Sequence, residues 1–255
     1  MAFWRYAELV RYKAAADLRA EAARTYLGFA WWVLDPVIFM LIFYVLFELL
    51  LRRGGEHFVQ FLLIGLVTWR WFHMTVFNGA NALPAGHGLI RQTYLPKLLL
   101  PLAAILTDLI KFAVVLTLLL AFLGLSGFGP GAAWLALPAL LLAQLALICG
   151  VTLLLAALVP FLPDLKPLIG HVLQMLFFLS GIFYDPAGIP EAHRGYFFLN
   201  PMAALIESYR EVLLRDRWPD GWMLLAIVAL AVGLILAAVA ILHRYDRIYP
   251  KLIRG

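Results

Sequence analysis

Long apolar runs, separated by short breaks rich in charged residues, Gly or Pro, follow one another along most of the chain. A helix needs about 20 predominantly apolar residues to cross the hydrocarbon core of a bilayer. Residues 112–163 contain no charged side chain. At ~1.5 Å per residue this stretch is too long for one crossing, so we divide it at the turn-forming residues 124–131. The pattern predicts six spanning helices, at about 36–51, 58–78, 98–123, 133–159, 167–184 and 222–242.

Composition places the chain in a membrane. Of its 255 residues, 64% are hydrophobic and 14% are charged, and the mean hydropathy is +0.91. Soluble domains are about half apolar and about a quarter charged. These values exclude an ordinary cytosolic enzyme, a secreted domain and a disordered chain. We therefore expect an all-α integral membrane protein that forms one transmembrane domain over residues 1–255.

The N-terminal segment 1–24 combines charge with helical periodicity. Its apolar residues recur at helical spacing and its charged residues lie on the opposite face. Lys13 and Asp17 add an i,i+4 pair. Because the segment is too charged to span, we predict an amphipathic helix on the cytoplasmic surface of the membrane. The apolar positions are Phe3, Tyr6, Ala7, Val10, Ala14 and Leu18.

The segment 185–221 is too long for a turn and too apolar for a free loop. We place it on the extracytoplasmic side, before the last span. A second helical pattern begins after Asn200-Pro201. This favours two short helices that enter the outer leaflet and return, while an amphipathic helix lying flat in the interface is the alternative. The apolar positions of the second pattern are Met202, Leu205, Ile206, Tyr209, Val212 and Leu213.

The distribution of positive charge predicts the orientation. With the N-terminus in the cytoplasm, about twice as many Lys and Arg residues fall inside as outside, so we expect both termini to be cytoplasmic. A net charge of +5 would suggest nucleic acid in a soluble protein, but here it is typical of cytoplasmic loops, and we expect no nucleic-acid partner. The single cysteine, Cys149, permits no internal disulfide.

Several polar side chains fall inside the predicted spans. Asp108 and Lys111 are one helical turn apart, and we expect them to pair with each other or with a neighbouring helix. Arg70 either reaches the headgroup region or faces a cavity. His73, His171 and Gln174 could line a path or form bonds between helices. The many aromatic residues fit an interfacial belt, or stacking platforms for sugar rings.

Sequence motifs of enzymes are absent from the chain. It contains no G-x-x-x-x-G-K-[ST], which would bind nucleotide phosphates. It also lacks H-E-x-x-H and G-x-S-x-G. We therefore predict no catalytic residue, no metal site and no cofactor on this chain.

Three stretches, in order along the chain, resemble one family. Residues 26–36 (YLGFAWWVLDP) are similar to an L-G-x-x-W-x-x-L-x-P entry into the first span. Residues 89–97 (LIRQTYLPK) resemble a cytoplasmic loop between the second and third spans, and residues 200–210 resemble an N-P…E…R segment before the last span. The family is the ABC-2 type permeases of polysaccharide ABC exporters, which move O-antigen, capsular polysaccharide or teichoic acid precursors across the bacterial inner membrane.

The resemblance implies how the chain is assembled and driven. Two copies would form the channel, and two separate ABC ATPase subunits would bind ATP and Mg below it. The N-terminal helix and the loop 84–97 would transmit the motion of the ATPase. The coupling residues would be Glu8, Arg11, Arg91, Gln92, Tyr94, Pro96 and Lys97.

The same resemblance assigns a path to the substrate. Residues 25–34 would form a cytoplasmic gate, and Arg24 would bind a lipid-linked pyrophosphate, with an ordinary lipid headgroup as the alternative. The gate and pyrophosphate residues would be Arg24, Tyr26, Phe29, Trp31 and Trp32. The channel lining would be Tyr44, Trp69, Phe72, Phe177 and Tyr184, and the outer gate Tyr196, Phe197, Asn200 and Pro201.

The sequence thus predicts a channel-forming permease subunit of an ATP-driven exporter for a lipid-linked polysaccharide. Two alternatives belong to other classes. One is an ABC-2 permease for drugs or lipids, which would lack a wide channel for sugars. The other is a membrane channel or enzyme that needs no ATPase.

Overall fold

A computed structural model describes residues 2–23, 26–50, 57–92, 96–246 and 248–252. All regular elements in these ranges are helical, as the apolar pattern predicts. The α-helices are α1 (Ala2–Ala23), α2 (Trp31–Tyr44), α3 (Phe58–Ala80), α4 (Ala82–Ala85), α5 (His87–Gln92), α6 (Leu99–Leu125), α7 (Leu137–Leu158), α8 (Leu165–Leu179), α9 (Glu191–Phe197), α10 (Pro201–Leu214), α11 (Gly221–Arg244) and α12 (Tyr249–Leu252). Short 3-10 turns occupy Gly28–Ala30, Ala132–Ala136 and Pro186–Gly188, and a π-helical turn, Val45–Leu50, extends α2.

Three helical stretches among the described residues are long and apolar enough to cross a bilayer, namely Leu99–Leu125, Ala132–Leu158 and Gly221–Arg244. They match three of the predicted spans closely. The helices α2, α3 and α8 coincide with the other three, but the count of six stays a prediction. α2 begins at Trp31, before Asp35-Pro36, so the first apolar helix starts earlier than residue 36.

The fifth predicted span, 167–184, is too long at its C-terminal end. α8 ends at Leu179, because Gly181 adopts a left-handed conformation with φ of 68° that stops the helix. A side chain at this glycine would also meet the ring of Phe197, with a Cβ only 2.9 Å from Cζ. The apolar residues 182–184 therefore belong to the turn after α8.

The core is organised around α3, which packs against α2, α6, α7, α8 and α10. Most of the α3 side chains that are fully buried, such as Leu62, Ile64 and Val76, are aliphatic. α7 and α11 pack along their whole length. Their closest approach is at Gly150, where a Cβ would lie 2.8 Å from the carbonyl oxygen of Ala231. Small residues allow this approach, as is common between membrane helices.

A smaller apolar cluster ties the C-terminal tail to the bundle. Tyr249 is fully buried with Leu83, Leu100, Ala157 and Leu242. Its hydroxyl donates a hydrogen bond to the carbonyl oxygen of Ala157 at 3.0 Å. Burial and the nearby carboxylate of Asp246 raise the pKa of Tyr249 to about 12, so the phenol stays protonated and able to donate at neutral pH.

The predicted N-terminal helix is present as α1, and it packs along α6. Ala14 is buried in this contact. The axis of 6–23 is bent by 96° from that of 28–44. This right angle is the arrangement expected if α2 crosses the membrane and α1 lies along its surface, which stays a prediction.

We expect Gly150→Ala to lower the free energy of unfolding by about 1–3 kcal/mol, because the added methyl group meets backbone atoms of α11 that cannot move away. Denaturation of the purified protein in mixed micelles, followed by circular dichroism, measures the change.

Gly233→Ala is the matched control for Gly150→Ala, since no other atom lies within 4 Å of a Cβ built at Gly233 of α11. It should leave stability unchanged or raise it by up to ~1 kcal/mol, the helix propensity gained over glycine. Equal effects of the two substitutions would contradict the tight contact between α7 and α11.

Candidate functional site

A groove of about 630 Å³ lies between α2, α3 and α8. It combines aromatic and aliphatic walls with a few polar side chains, which is the composition of many ligand sites. We call it the α2–α3–α8 groove. It is bordered by Pro36 and Phe39 of α2, by Leu66, Trp69, Arg70, His73 and Met74 of α3, and by Gln174 and Phe177 of α8.

Aromatic rings continue from this groove toward the end of α8. The ring centroids of Trp69 and Phe177 are 6.0 Å apart, and those of Phe177 and Phe183 are 5.0 Å apart. Phe43 of α2 lies 4.2 Å from Phe183. The rings thus join three helices into one aromatic surface.

The five residues predicted to line a channel lie in different surroundings. Trp69 and Phe177 border the α2–α3–α8 groove. Phe72 is buried in the core beside Trp69, with centroids 5.5 Å apart. Tyr44 is half-buried on α2, and Tyr184 is exposed beyond α8, where its hydroxyl donates to the carbonyl oxygen of Phe178 at 3.3 Å. A role in lining a channel stays a prediction for all of them.

Phe39 and Met74 also border the groove, although neither was expected there from the sequence. A signal for Met74 was present, because Leu66, Arg70, His73 and Met74 recur at the three- and four-residue spacing of one helical face. That spacing defines the face but does not say which helices it meets. Of the three polar residues that the sequence left open, His73 and Gln174 border the groove, whereas His171 is exposed on α8 and does not.

A second groove, of about 600 Å³, lies on the other side of Arg70 between the end of α1 and the helices α2, α3 and α6. It contains a network of charged groups. Arg70 pairs with Asp35 of α2. Lys111 pairs with Glu21 of α1 and, at 3.2 Å, with Asp108.

The predicted pair of Asp108 and Lys111 is therefore confirmed, and the structure adds two partners. Glu21 shares Lys111, and the Asn78 amide donates to Asp108 at 3.0 Å. Sharing several partners lowers the cost of holding these charges in a largely apolar bundle. The network also connects α1 with α6, and α2 with α3.

The predicted gate residues lie at the bend between α1 and α2. Tyr26, Phe29 and Trp31 are exposed. Trp32 borders the second groove and meets Phe29 edge to face, with ring centroids 4.7 Å apart. Arg24 lies outside the described residues, so its role in binding a pyrophosphate stays a prediction.

The predicted coupling residues occupy two regions of the chain. Glu8 and Arg11 are exposed on α1. Pro96 is half-buried, whereas Lys97 is buried and pairs with Asp246 of the C-terminal tail at 3.8 Å. Lys97 thus holds the loop against the tail. Arg91 and Gln92 belong to α5 by their backbone, but their side chains, like the whole of Tyr94, lie outside the described residues.

The helical pattern predicted after Asn200-Pro201 is confirmed by α10, Pro201–Leu214. The six apolar positions named from the sequence are all buried. α10 packs against α3 and α7, so this part of the segment 185–221 belongs to the core of the chain. Its depth in the membrane stays a prediction.

Asn200 and Pro201 begin α10 and attach it to the end of α8. The Asn200 side chain accepts a hydrogen bond from the backbone of Met202 at 3.0 Å, as an N-cap does, and Pro201 occupies the first turn, where its missing N–H costs nothing. The Asn200 amide also donates to the hydroxyl of Ser180 at 2.9 Å.

The other two predicted outer-gate residues precede this cap on α9. The ring of Phe197 lies 6.1 Å from that of Tyr184, while Tyr196 is exposed. The predicted outer-gate residues thus surround the turn that follows α8. A gating role stays a prediction for each of them.

Arg210 of α10 is fully buried, with 0% of its surface exposed. Its guanidinium donates to the carbonyl oxygens of Gly181 at 2.8 Å, Ile182 at 3.0 Å and Phe61 at 3.3 Å. It pairs with Glu207 at 3.7 Å and lies 3.3 Å from the ring centroid of Phe61. We call this set of contacts the Arg210 clamp.

The Arg210 clamp gives a physical reason for the E…R part of the sequence motif. Arg210 joins α10 to the first turn of α3 and to the turn after α8. The sequence analysis quoted Glu207 and Arg210 as a motif without a role. A cation in an amphipathic pattern ordinarily lies on the solvated face, so its burial could not be anticipated from spacing.

Among the described residues, no group of three or more His, Cys, Asp or Glu side chains is placed to hold a metal ion. In the second groove the charged groups are instead paired with one another.

The fold and its grooves define a class, a helical membrane protein with an aromatic, partly polar groove between its helices. Residues 23–214 match the family model described as ABC-2 type transporter, and the chain belongs to this family.

Named relatives agree with this assignment. The chain is 31% identical over 229 residues to the O-antigen export system permease protein RfbA of Myxococcus xanthus, covering 88% of this chain and 87% of the relative. It is 27% identical over 199 residues to an RfbA of Klebsiella pneumoniae, covering 78% and 77%. It is 24% identical over 228 residues to the polysialic acid transport protein KpsM of Escherichia coli, covering 86% and 88%.

We expect Arg210→Lys to lower the free energy of unfolding by about 3 kcal/mol, because one ammonium group cannot reach the three carbonyls that the planar guanidinium bridges. Chemical denaturation in micelles measures this.

Arg217→Lys, at an exposed position after α10, serves as the control for Arg210→Lys and should change stability by no more than ~0.5 kcal/mol. If Arg210→Lys lowers the free energy of unfolding no more than Arg217→Lys does, the Arg210 clamp does not hold α10 in place.

Proposed function

We propose that the chain is the channel-forming permease subunit of an ATP-driven exporter, which moves a lipid-linked polysaccharide across the bacterial inner membrane. Both termini lie in the cytoplasm. The names of the relatives, O-antigen export permeases and a polysialic acid transport protein, support a polysaccharide as cargo.

The observation that carries the proposal is the aromatic and partly polar lining of the α2–α3–α8 groove. Sugar rings have apolar C–H faces that pack on aromatic rings, and hydroxyl groups that need hydrogen-bond partners. Phe39 offers an accessible ring, backed by the buried rings of Trp69 and Phe177, while His73 and Gln174 provide the polar atoms. A groove that carried only apolar molecules would not need these polar atoms.

A second copy of the chain would close the groove into a channel. Large apolar side chains on α2 and α8 are exposed in the single chain, among them Phe39, Ile42, Met175 and Phe178. In a membrane protein such a surface faces either lipid or another subunit, and the part beside the groove is the part that a second copy would cover. We therefore propose a homodimer, with membrane lipids covering the remaining apolar surface.

The energy would come from two separate ABC ATPase subunits that bind ATP and Mg, since this chain has no P-loop motif. Their motion would reach the permease through Glu8 and Arg11 on α1 and through the loop 84–97. The pair between Glu21 and Lys111 connects α1 with α6. A displacement of α1 would therefore move the bend near Trp31 and Trp32 and admit the polymer.

The alternatives make different predictions. A drug or lipid exporter of the same family would also need an ATPase, but its purified complex would bind no glycan. A channel or enzyme without an ATPase would purify alone and stay inert to ATP. Co-expression with an ABC ATPase subunit, followed by purification and an ATP hydrolysis assay, separates this last alternative from the proposal.

We expect Phe39→Ala to slow export roughly threefold to tenfold, since one ring that stacks on sugars contributes about 1 kcal/mol. Phe39 is 42% exposed at the edge of the groove, so its loss should disturb folding little. Antibody staining of surface polysaccharide after induction, in cells lacking the natural copy, gives the export rate.

Leu236→Ala is the control for Phe39→Ala, because Leu236 is 65% exposed on α11, away from the groove. It should export at the normal rate. Equal rates for both variants would argue against transport along the α2–α3–α8 groove.

We also expect deletion of residues 2–20 to abolish export while the spanning helices remain inserted, because the deletion removes Glu8 and Arg11 together with most of α1. Protease protection in membrane vesicles measures insertion, and surface staining measures export. Lys13→Gln, which removes only the pair with Asp17 on α1, should leave export intact. Normal export after the deletion would exclude a coupling role for α1.

A further inference from the structure

The α2–α3–α8 groove carries almost no net charge. Of the nine residues that border it, only Arg70 and His73 can be cationic, and none is acidic. An imidazole with an ordinary pKa of about 6.5 is mostly neutral at cytoplasmic pH. The electrostatic character of the groove therefore depends on Arg70.

The charge of Arg70 is neutralised from outside the groove. Its guanidinium pairs with the carboxylate of Asp35, which borders the second groove but not the first. Each of the two side chains keeps about a third of its surface exposed, 30% for Arg70 and 37% for Asp35. The pair is thus accessible enough to respond to a charged solute.

The surroundings of Arg70 add no unpaired cation to the groove. Lys111, the other cation that borders the second groove, pairs with Glu21 and Asp108. A polyanion in the α2–α3–α8 groove would therefore meet one cation that is already paired, with the carboxylate of Asp35 directly behind it. In a site with little water, such repulsion is only weakly screened.

We propose that the α2–α3–α8 groove is built for an uncharged polysaccharide, and that Asp35 determines this specificity by neutralising Arg70. The inference rests on the proposed transport function and narrows its substrate class. Asp35 touches no substrate. It is a positioning residue that acts through Arg70.

Two soluble probes of equal length test the charge preference. They are a linear dextran oligosaccharide, which is neutral, and an oligosialic acid, which carries one carboxylate per sugar. Each is titrated into the permease–ATPase complex in nanodiscs, and saturation-transfer NMR gives the dissociation constant at low and at physiological salt. The wild-type complex should bind dextran at least tenfold more tightly than oligosialic acid.

Asp35→Asn is the decisive variant, because asparagine preserves a hydrogen bond to Arg70 while removing the negative charge. It should tighten oligosialic acid binding roughly tenfold at low salt, and the gain should shrink as salt screens the freed guanidinium. Dextran binding should stay within about twofold of the wild type, since no dextran contact is lost. A purely structural role for Asp35 would change the binding of both probes together.

Two further variants complete the test. The double variant Asp35→Asn/Arg70→Gln removes both charges and should restore the preference of the wild type. Asp17→Asn, which removes a carboxylate paired with Lys13 on α1, should change neither dissociation constant.

Each result decides a different claim. Tight, salt-dependent binding of oligosialic acid by the wild type would overturn the specificity proposal and leave the transport function standing. An Asp35→Asn variant that still preferred dextran over oligosialic acid as strongly as the wild type would overturn it as well. If neither the wild type nor any variant bound either probe, the claim that the groove binds carbohydrate would be wrong, and with it the proposed function.

Discussion

The buried guanidinium of Arg210 is the constraint on which the arrangement of the helices depends. A charge removed from water is costly unless it is paired and hydrogen-bonded. All three nitrogens of the guanidinium donate to the carbonyls of Gly181, Ile182 and Phe61, which belong to the turn after α8 and to the first turn of α3. One side chain thus fixes the relative positions of α3, α8 and α10.

The α2–α3–α8 groove follows from this arrangement. Trp69 and Phe177 face each other because the helices that carry them are joined at one end by the Arg210 clamp. On the opposite side of α3, the pair of Arg70 and Asp35 fixes α2. The groove is therefore enclosed by charged contacts at its margins, while its own lining remains aromatic and nearly neutral. That combination suits a long polar polymer that must be held loosely enough to move.

Two sets of contacts join α1 and the loop before α6, the proposed coupling elements, to the rest of the chain. Lys111 connects α1 with α6 next to the bend at Trp32. Lys97 and Tyr249 attach the loop before α6 to the C-terminal tail and to α7. A force on α1 or on this loop is therefore passed to helices of the core.

Local sequence pattern was enough to predict the helical membrane class, the positions of the long helices α6, α7 and α11, the buried face of α10 and the pair of Asp108 and Lys111. Each of these follows from hydrophobic length or from spacing within one helix, which neighbouring residues set. The tertiary structure alone decided the partners of Arg70, Arg210 and Lys97, the burial of Phe72 and the early end of α8 at Leu179. These contacts join residues from about 30 to 150 positions apart. Helical periodicity says which face of a helix is apolar, but only packing decides which other helix meets that face.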